Sequence, residues 1–263
     1  MVVRTYEIDG RGISSPIRIA LIADLHCCRY GEKLIRVIDA QAPDLILMAG
    51  DIFDNRMAMA NAEQLFAGIS GRYPCYYVTG NHEYGSGAAY FRSAMSVLAK
   101  YGVTVLSNTC ETREINGNEI HLCGVDDPYS YMLEFDWKQD PQGYEQARQN
   151  KHRLFCQRLD DLKSRTQDDH FTILLSHRPE RFENYVSRGF DLVLCGHAHG
   201  GQWRIPGILN GLYAPHQGLF PRYAGGKYEK DGTTMIVSRG LATTTTPIPR
   251  FFNPPELVVI AVK

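Results

Sequence analysis

Five short motifs carry aspartates, histidines and an asparagine in a pattern that suits metal chemistry. They are Asp24-Leu25-His26, Gly50-Asp51, Gly80-Asn81-His82, Ser176-His177 and Gly196-His197-Ala198-His199. Each follows a short apolar run, at 17–23, 44–49, 73–79, 171–175 and 190–195. Taken singly they are ordinary, since Asp and Asn are favoured turn residues. Taken together they hold five of the nine histidines, a concentration that chance turns do not explain. Two carboxylates, one amide oxygen and up to five imidazoles suit borderline divalent ions such as Mn²⁺, Fe²⁺, Zn²⁺ or Co²⁺. The set is too large for one ion with an open position and about right for two. Two ions roughly 3.5–4 Å apart clamp the oxygens of an in-line displacement at phosphorus. With only Asp24 and Asp51 and a bridging hydroxide to offset two dications, the centre stays positive and attracts an anionic phosphoester.

The elements that must position these residues are legible in the same stretches. Continuous Ile/Leu/Val-rich runs read as strands buried on both faces. Helical periodicity appears between them over 31–42, 61–70, 87–100 and 143–165. Further strands are expected at 119–125, 233–238 and 256–263. Strand–helix alternation gives an α/β fold. Ligands in such sheets gather at the carboxyl ends of strands, which places the five turns along one sheet edge. Seven of the thirteen prolines fall within 206–255, so 200–232 reads as an irregular excursion. Residues 126–142 read as a second, polar-aromatic insertion. The chain is read as one domain, 1–263.

Composition narrows the classes. The chain has 263 residues, 44% hydrophobic and 22% charged, which excludes extensive disorder and fibrous folds. A net charge of −1 excludes a broad basic footprint for duplex nucleic acid. Seven cysteines, none in a C-x-x-C pair, read as free thiols of a reducing compartment. No apolar run approaches the ~20 residues of a membrane span, and the N-terminus lacks a signal-peptide core. The chain is expected to be cytoplasmic or peripheral to a membrane.

The blocks D-L-H (24–26), G-D (50–51), G-N-H-E (80–83), His177 and G-H-A-H (196–199) resemble the calcineurin-like metallophosphoesterase superfamily. The segments 196–202, 219–223, 237–241 and 247–257 further resemble a bacterial branch of it. That branch includes membrane-associated phosphodiesterases and UDP-diacylglucosamine pyrophosphohydrolases. The resemblance implies a two-sheet β-sandwich flanked by helices. It implies one divalent ion on Asp24, His26 and His199, a second on Asn81, His177 and His197, and Asp51 bridging both. His82 would bind no metal and would protonate the leaving oxygen after a metal-bridging hydroxide attacks phosphorus.

The implied activity is that of a phosphodiesterase or pyrophosphohydrolase on a small or lipid-linked phosphoester. A phosphomonoesterase or phosphoprotein phosphatase is the alternative, but phosphatases carry Arg four residues after the bridging Asp, where Asn55 stands and Arg56 follows. A non-catalytic scaffold, the other alternative, would lose ligands that are intact here. Asp54 or Glu83 is expected to orient His82 or a ligand histidine. Asp126, Asp127 and His216 are candidates for the rim. Tyr129, Tyr131, Trp137, Trp203, Leu212 and Phe220 are candidates for an apolar rim around an acyl or aromatic group. Cys27 and Cys28 follow the first motif without being needed as ligands.

Overall fold

The computed structural model describes residues 1–132, 139–243 and 249–263, the side chain of Met132 excepted. Trp137, part of the 126–142 insertion and the start of the 247–257 motif lie outside these. In chain order the first half runs β1 (Val2–Ile8), β2 (Ile17–Ile22), α1 (Glu32–Asp39), β3 (Leu45–Ala49), α2 (Ala60–Ile69), β4 (Cys75–Val78), α3 (Asn81–Gly85), α4 (Ala88–Lys100) and β5 (Thr104–Val105). The second half runs β6 (Thr109–Ile115), β7 (Asn118–Gly124), α5 (Pro141–Ser164), β8 (Phe171–Leu175), α6 (Phe182–Val186), β9 (Leu192–Cys195), β10 (Tyr213–Ala214), β11 (Gly218–Leu219), β12 (Gly226–Lys230), β13 (Thr233–Val237) and β14 (Glu256–Val262).

Two six-stranded sheets result, ordered β1-β14-β2-β3-β4-β5 and β12-β13-β9-β8-β7-β6. The central pairs β2/β3, β3/β4, β7/β8 and β8/β9 are parallel. Alternate residues of each strand explain the layering, because successive side chains point to opposite faces. Ile19, Leu21, Leu45 and Leu47 meet Ile120, Leu122, Ile173, Leu192 and Leu194 in a core between the sheets. Ala20, Ile22, Ile46 and Met48 face the other way, onto Leu34, Ile38, Leu65, Phe66, Ala94 and Leu98 of α1, α2 and α4. Leu174, Val193, Met235 and Val237 face Phe155, Leu159 and Leu162 of α5 and Phe182 and Tyr185 of α6. Both faces of every central strand are therefore buried, which is why those runs read as continuously apolar.

Three expectations change. The five motif-bearing turns do not share one sheet edge: β2, β3 and β4 belong to one sheet and β8 and β9 to the other. The turns meet because the sheets are stacked with these strands ending at the same end. Not all cysteines are free, since Cys110 and Cys123 face each other across the β6/β7 pair and form a disulfide. Cys27, Cys28, Cys75 and Cys195 are buried free thiols and Cys156 a half-buried one. The 200–232 excursion is not wholly irregular, for it contains the small β10/β11 hairpin and all of β12.

Candidate metal centre

The turns after β2, β3 and β9 are held in a backbone conformation that ordinary residues avoid. Asp24, His26, Asp51, His197 and His199 all have φ between 48° and 68°. A left-handed non-glycine residue costs on the order of 1 kcal/mol or more, and such residues collect at functional sites. The glycines beside them are required by close approach. A Cβ at Gly50 would sit 2.7 Å from the Gly80 amide and 2.8 Å from His177 Nδ1, and one at Gly196 would sit 2.7 Å from Asp24 Oδ2. A Cβ at Gly80 would sit 2.6 Å from the Asp51 amide. The three turns thus pack backbone against carboxylate with no room for a side chain.

Several overlapping groups of potential ligands form there, and two of them share Asp51. Asp24, His26, Asp51 and His199 bring their donor atoms within 4.8 Å of one another, and so do Asp51, His177 and His197. Asp51 Oδ2 lies 3.6 Å from His26 Nε2 and 3.1 Å from His177 Nε2. His177 Nε2 lies 3.1 Å from His197 Nδ1, and His199 Nε2 lies 3.7 Å from Asp24 Oδ1. All six side chains are buried. His26 Nε2, Asp51 Oδ2, Asn81 Oδ1 and His199 Nδ1 are buried polar atoms with no hydrogen-bond partner. Unpartnered buried donors and acceptors are rare, and metal ions would satisfy these four. The donor set therefore fits divalent ions.

The electrostatics agree. Burial opposes a proton on His177, but the Asp51 and Asp24 carboxylates overcome it and push its pKa up to about 10. Burial raises the Asp24 carboxyl, and burial acts the same way on Asp51, where His177 and His82 nonetheless hold it well below the usual range. Two buried carboxylates demand a cation, and a metal ion supplies it without protonating a ligand. His197 and His199 are pushed well below their ordinary values, first by burial and then by Arg178 and His26 respectively. They stay neutral, the form that ligates metal.

Supporting bonds fix the set. The His177 Nδ1 atom is 2.7 Å from the Ala49 carbonyl, so its Nε2 carries the free lone pair. The His197 amide donates to both Asp24 oxygens at 3.0 Å. The His82 amide, in the first turn of α3, donates to Asp51 Oδ1 at 2.8 Å. Asp54 and Glu83 divide the roles that sequence left open between them. Asp54 Oδ2 lies 2.9 Å from His26 Nδ1 and 3.0 Å from His82 Nδ1, and so orients both rings. Glu83 instead accepts the amides of Asp51, Phe53 and Gly80 and the Tyr77 hydroxyl, tying the β3 and β4 turns together. The His82 ring stacks edge-on to His26, 4.5 Å between centroids, and stays 27% exposed.

The remaining candidates sort by position. Asp127 forms a bidentate pair with Arg178, whose Nη1 also lies 2.8 Å from His197 Nε2 and 2.7 Å from His216 Nδ1. His216 thus reaches the centre from the 200–232 excursion. Tyr129 covers this pair, its ring 5.3 Å from the Arg178 guanidinium. Asp126 points elsewhere, accepting from Thr79, Ser107 and Asn108. Tyr131 and Leu212 are half-buried, whereas Trp203 and Phe220 are exposed. Cys27 and Cys28 join neither ligand group; their sulfurs contact the Asp54 amide and Thr243. Sequence reasoning missed Arg178. Its signal was a charged residue directly after His177, inside a turn that must be buried.

Residues 17–201 match the family described as calcineurin-like phosphoesterase, and the chain belongs to that family. It is 30% identical to an uncharacterized metallophosphoesterase of Aquifex aeolicus, over 98% of this chain and 90% of that one. It is 27% identical to the phosphodiesterase YaeI of Escherichia coli, over 88% of this chain and 77% of that one. The solved NAD nucleotidase (NadN) of Haemophilus influenzae is 16% identical with a TM-score of 0.52, over 86% of this chain and 51% of that one, a likeness of fold alone. The chain is thus a metallophosphoesterase, a metal-binding hydrolase. Among the described residues no helix is long and apolar enough to cross a membrane.

Proposed function

We propose that this chain hydrolyses phosphodiesters or pyrophosphates with a dinuclear centre. Asp24, His26 and His199 would hold one divalent ion (Mn²⁺, Fe²⁺, Zn²⁺ or Co²⁺), Asn81, His177 and His197 a second, with Asp51 between them. The observation that carries this reading is the pair of ligand groups that share Asp51. Such ions act as Lewis acids on phosphoryl oxygens and lower the pKa of a coordinated water toward ~7. The protein's own part is to fix geometry and to move one proton. The turns after β2, β3, β4, β8 and β9 hold the ligands rigidly. Asp54 holds His82 by Nδ1, which leaves Nε2 to donate to the leaving oxygen. We read residues 1–263 as one domain built around this centre.

A diester is favoured over a phosphoprotein. Asn55 occupies the position where phosphatases place Arg, and the YaeI relative is named a phosphodiesterase. A lipid-linked substrate, met at a membrane surface, is favoured by the rim. Trp203, Phe251 and Phe252 are exposed, and their rings pack in a row, Trp203 on Phe251 and Phe251 on Phe252, beside the His199–Gly201 turn. Contiguous exposed apolar surface marks ligand or membrane contacts. The test is a paired assay in Mn²⁺ with bis-p-nitrophenyl phosphate and p-nitrophenyl phosphate, extended to nucleotide-diphospho-lipids and glycerophosphodiesters. A preference for the monoester would overturn the diester reading.

A further inference from the structure

The far end of the second sheet carries another group of metal-type side chains. His121 lies on β7 between Ile120 and Leu122, which both enter the core between the sheets, so its ring lies on the outer face. Asp168 and His170 come from the turn that joins α5 to β8, at the opposite end of β8 from His177. His121 is buried, at 4% exposure, and its Nε2 lies 2.7 Å from Asp168 Oδ1. His170 Nδ1 lies 3.4 Å from Asp168 Oδ2 and is a buried atom without a hydrogen bond. The two imidazole centroids are 5.3 Å apart, and one donor atom from each of the three residues lies within 4.8 Å of the others.

Each imidazole has an outer partner on its remaining nitrogen. His121 Nδ1 is 3.0 Å from Thr112 Oγ1 on β6, and His170 Nε2 is 3.5 Å from Glu119 Oε2 on β7. With protons on those outer nitrogens, the lone pairs of His121 Nε2 and His170 Nδ1 both face the Asp168 carboxylate. Metal-ligating histidines are oriented in this way, by a hydroxyl or carboxylate on the far nitrogen. A simple hydrogen-bonded clasp would need only His121 and Asp168. The His170 amide donates to Asp168 Oδ1 at 3.1 Å, which holds the residue beside the same carboxylate, yet its Nδ1 is left buried there without a hydrogen bond.

We propose that His121, Asp168 and His170 bind a single Zn²⁺-class ion, distinct from the dinuclear centre. Two nitrogens and one carboxylate oxygen suit such an ion, with water in the fourth position. The ion would tie β7 to the α5–β8 turn and fix the start of the strand that delivers His177. None of the residues used in the phosphoesterase reading belongs to this group.

The experiment is a titration of the full chain with Zn²⁺, with bound metal counted by equilibrium dialysis and elemental analysis. His170→Ala and Asp168→Asn should each bind one ion fewer than the unmutated chain and keep its activity on bis-p-nitrophenyl phosphate. Glu119→Gln should keep the ion but weaken it, by roughly 10–100-fold. Mass-spectrometric mapping of diethylpyrocarbonate modification needs no substitution, and Zn²⁺ should protect His170 in the unmutated chain. Equal ion counts in the unmutated chain and both variants overturn the proposal. So does His170 modification that Zn²⁺ leaves unchanged.

Discussion

Replacing His82 with alanine should slow the hydrolysis of diesters with alkoxide leaving groups by roughly 10²–10⁴-fold while leaving both ions bound. The substitution is clean because of what it spares. The bond that ties this residue to the centre runs from its main-chain amide to Asp51 Oδ1, and alanine keeps it. Asp54 retains its bond to His26 Nδ1, so that ring stays oriented. His82 belongs to neither of the ligand groups that share Asp51. What is lost is the partly exposed ring and the proton at Nε2. At about 1.36 kcal/mol per tenfold, the expected loss is roughly 3–5 kcal/mol of transition-state stabilisation. The assay compares kcat for a glycerophosphodiester with kcat for bis-p-nitrophenyl phosphate, alongside elemental analysis of metal content. p-Nitrophenolate is a weak base that leaves without a proton, so its loss should be far smaller. An equal loss for both substrates would make His82 a clamp on the phosphoryl oxygens. A missing ion would make it a ligand, and either result refutes the acid role.

Other changes separate ligand, bridge and scaffold. Asp51→Asn should be the most damaging of the ligand substitutions, because Asp51 alone belongs to both ligand groups, and metal content should fall together with rate. Retention of two ions and full kcat in that variant would overturn the bridging assignment. Glu83→Gln should destabilise the fold by about 3 kcal/mol, measured by urea unfolding. The amide nitrogen must face at least one N–H that the carboxylate accepted, and hydrogen bonds to charged groups contribute about 1.5–3 kcal/mol each. Because Glu83 fixes the Asp51 and Gly80 turns, that variant should also bind Mn²⁺ more weakly. Unchanged unfolding and metal affinity would show that the three amides do not need a carboxylate.

What the sequence disclosed follows from where each signal is stored. Strands buried on both faces, such as Leu45–Ala49 and Phe171–Leu175, write their burial into every residue, so their positions were legible. Edge strands write almost nothing. β1 leaves five of its seven residues exposed and β6 buries none of its residues fully, so neither carries a continuously apolar run, and both were missed. The ligand residues were legible because strand, turn and metal-type side chain recur in one local pattern. That five turns converge is a different kind of fact. Three turns come from one sheet and two from the other, and only the stacking of the sheets joins them, which no local window contains. The same limit hid the supporting residues. Asp54 and Glu83 were alternatives for orienting His82 or a ligand histidine, and Asp54 serves both His82 and His26 through a single oxygen. Arg178 pairs with Asp127 across 51 residues of chain, and His216 reaches the same guanidinium from 38 residues further on. A ligand is chosen by its chemistry, which a sequence prints. Its orientation is set by partners distant in the chain, so the geometry of this centre had to be read from the fold.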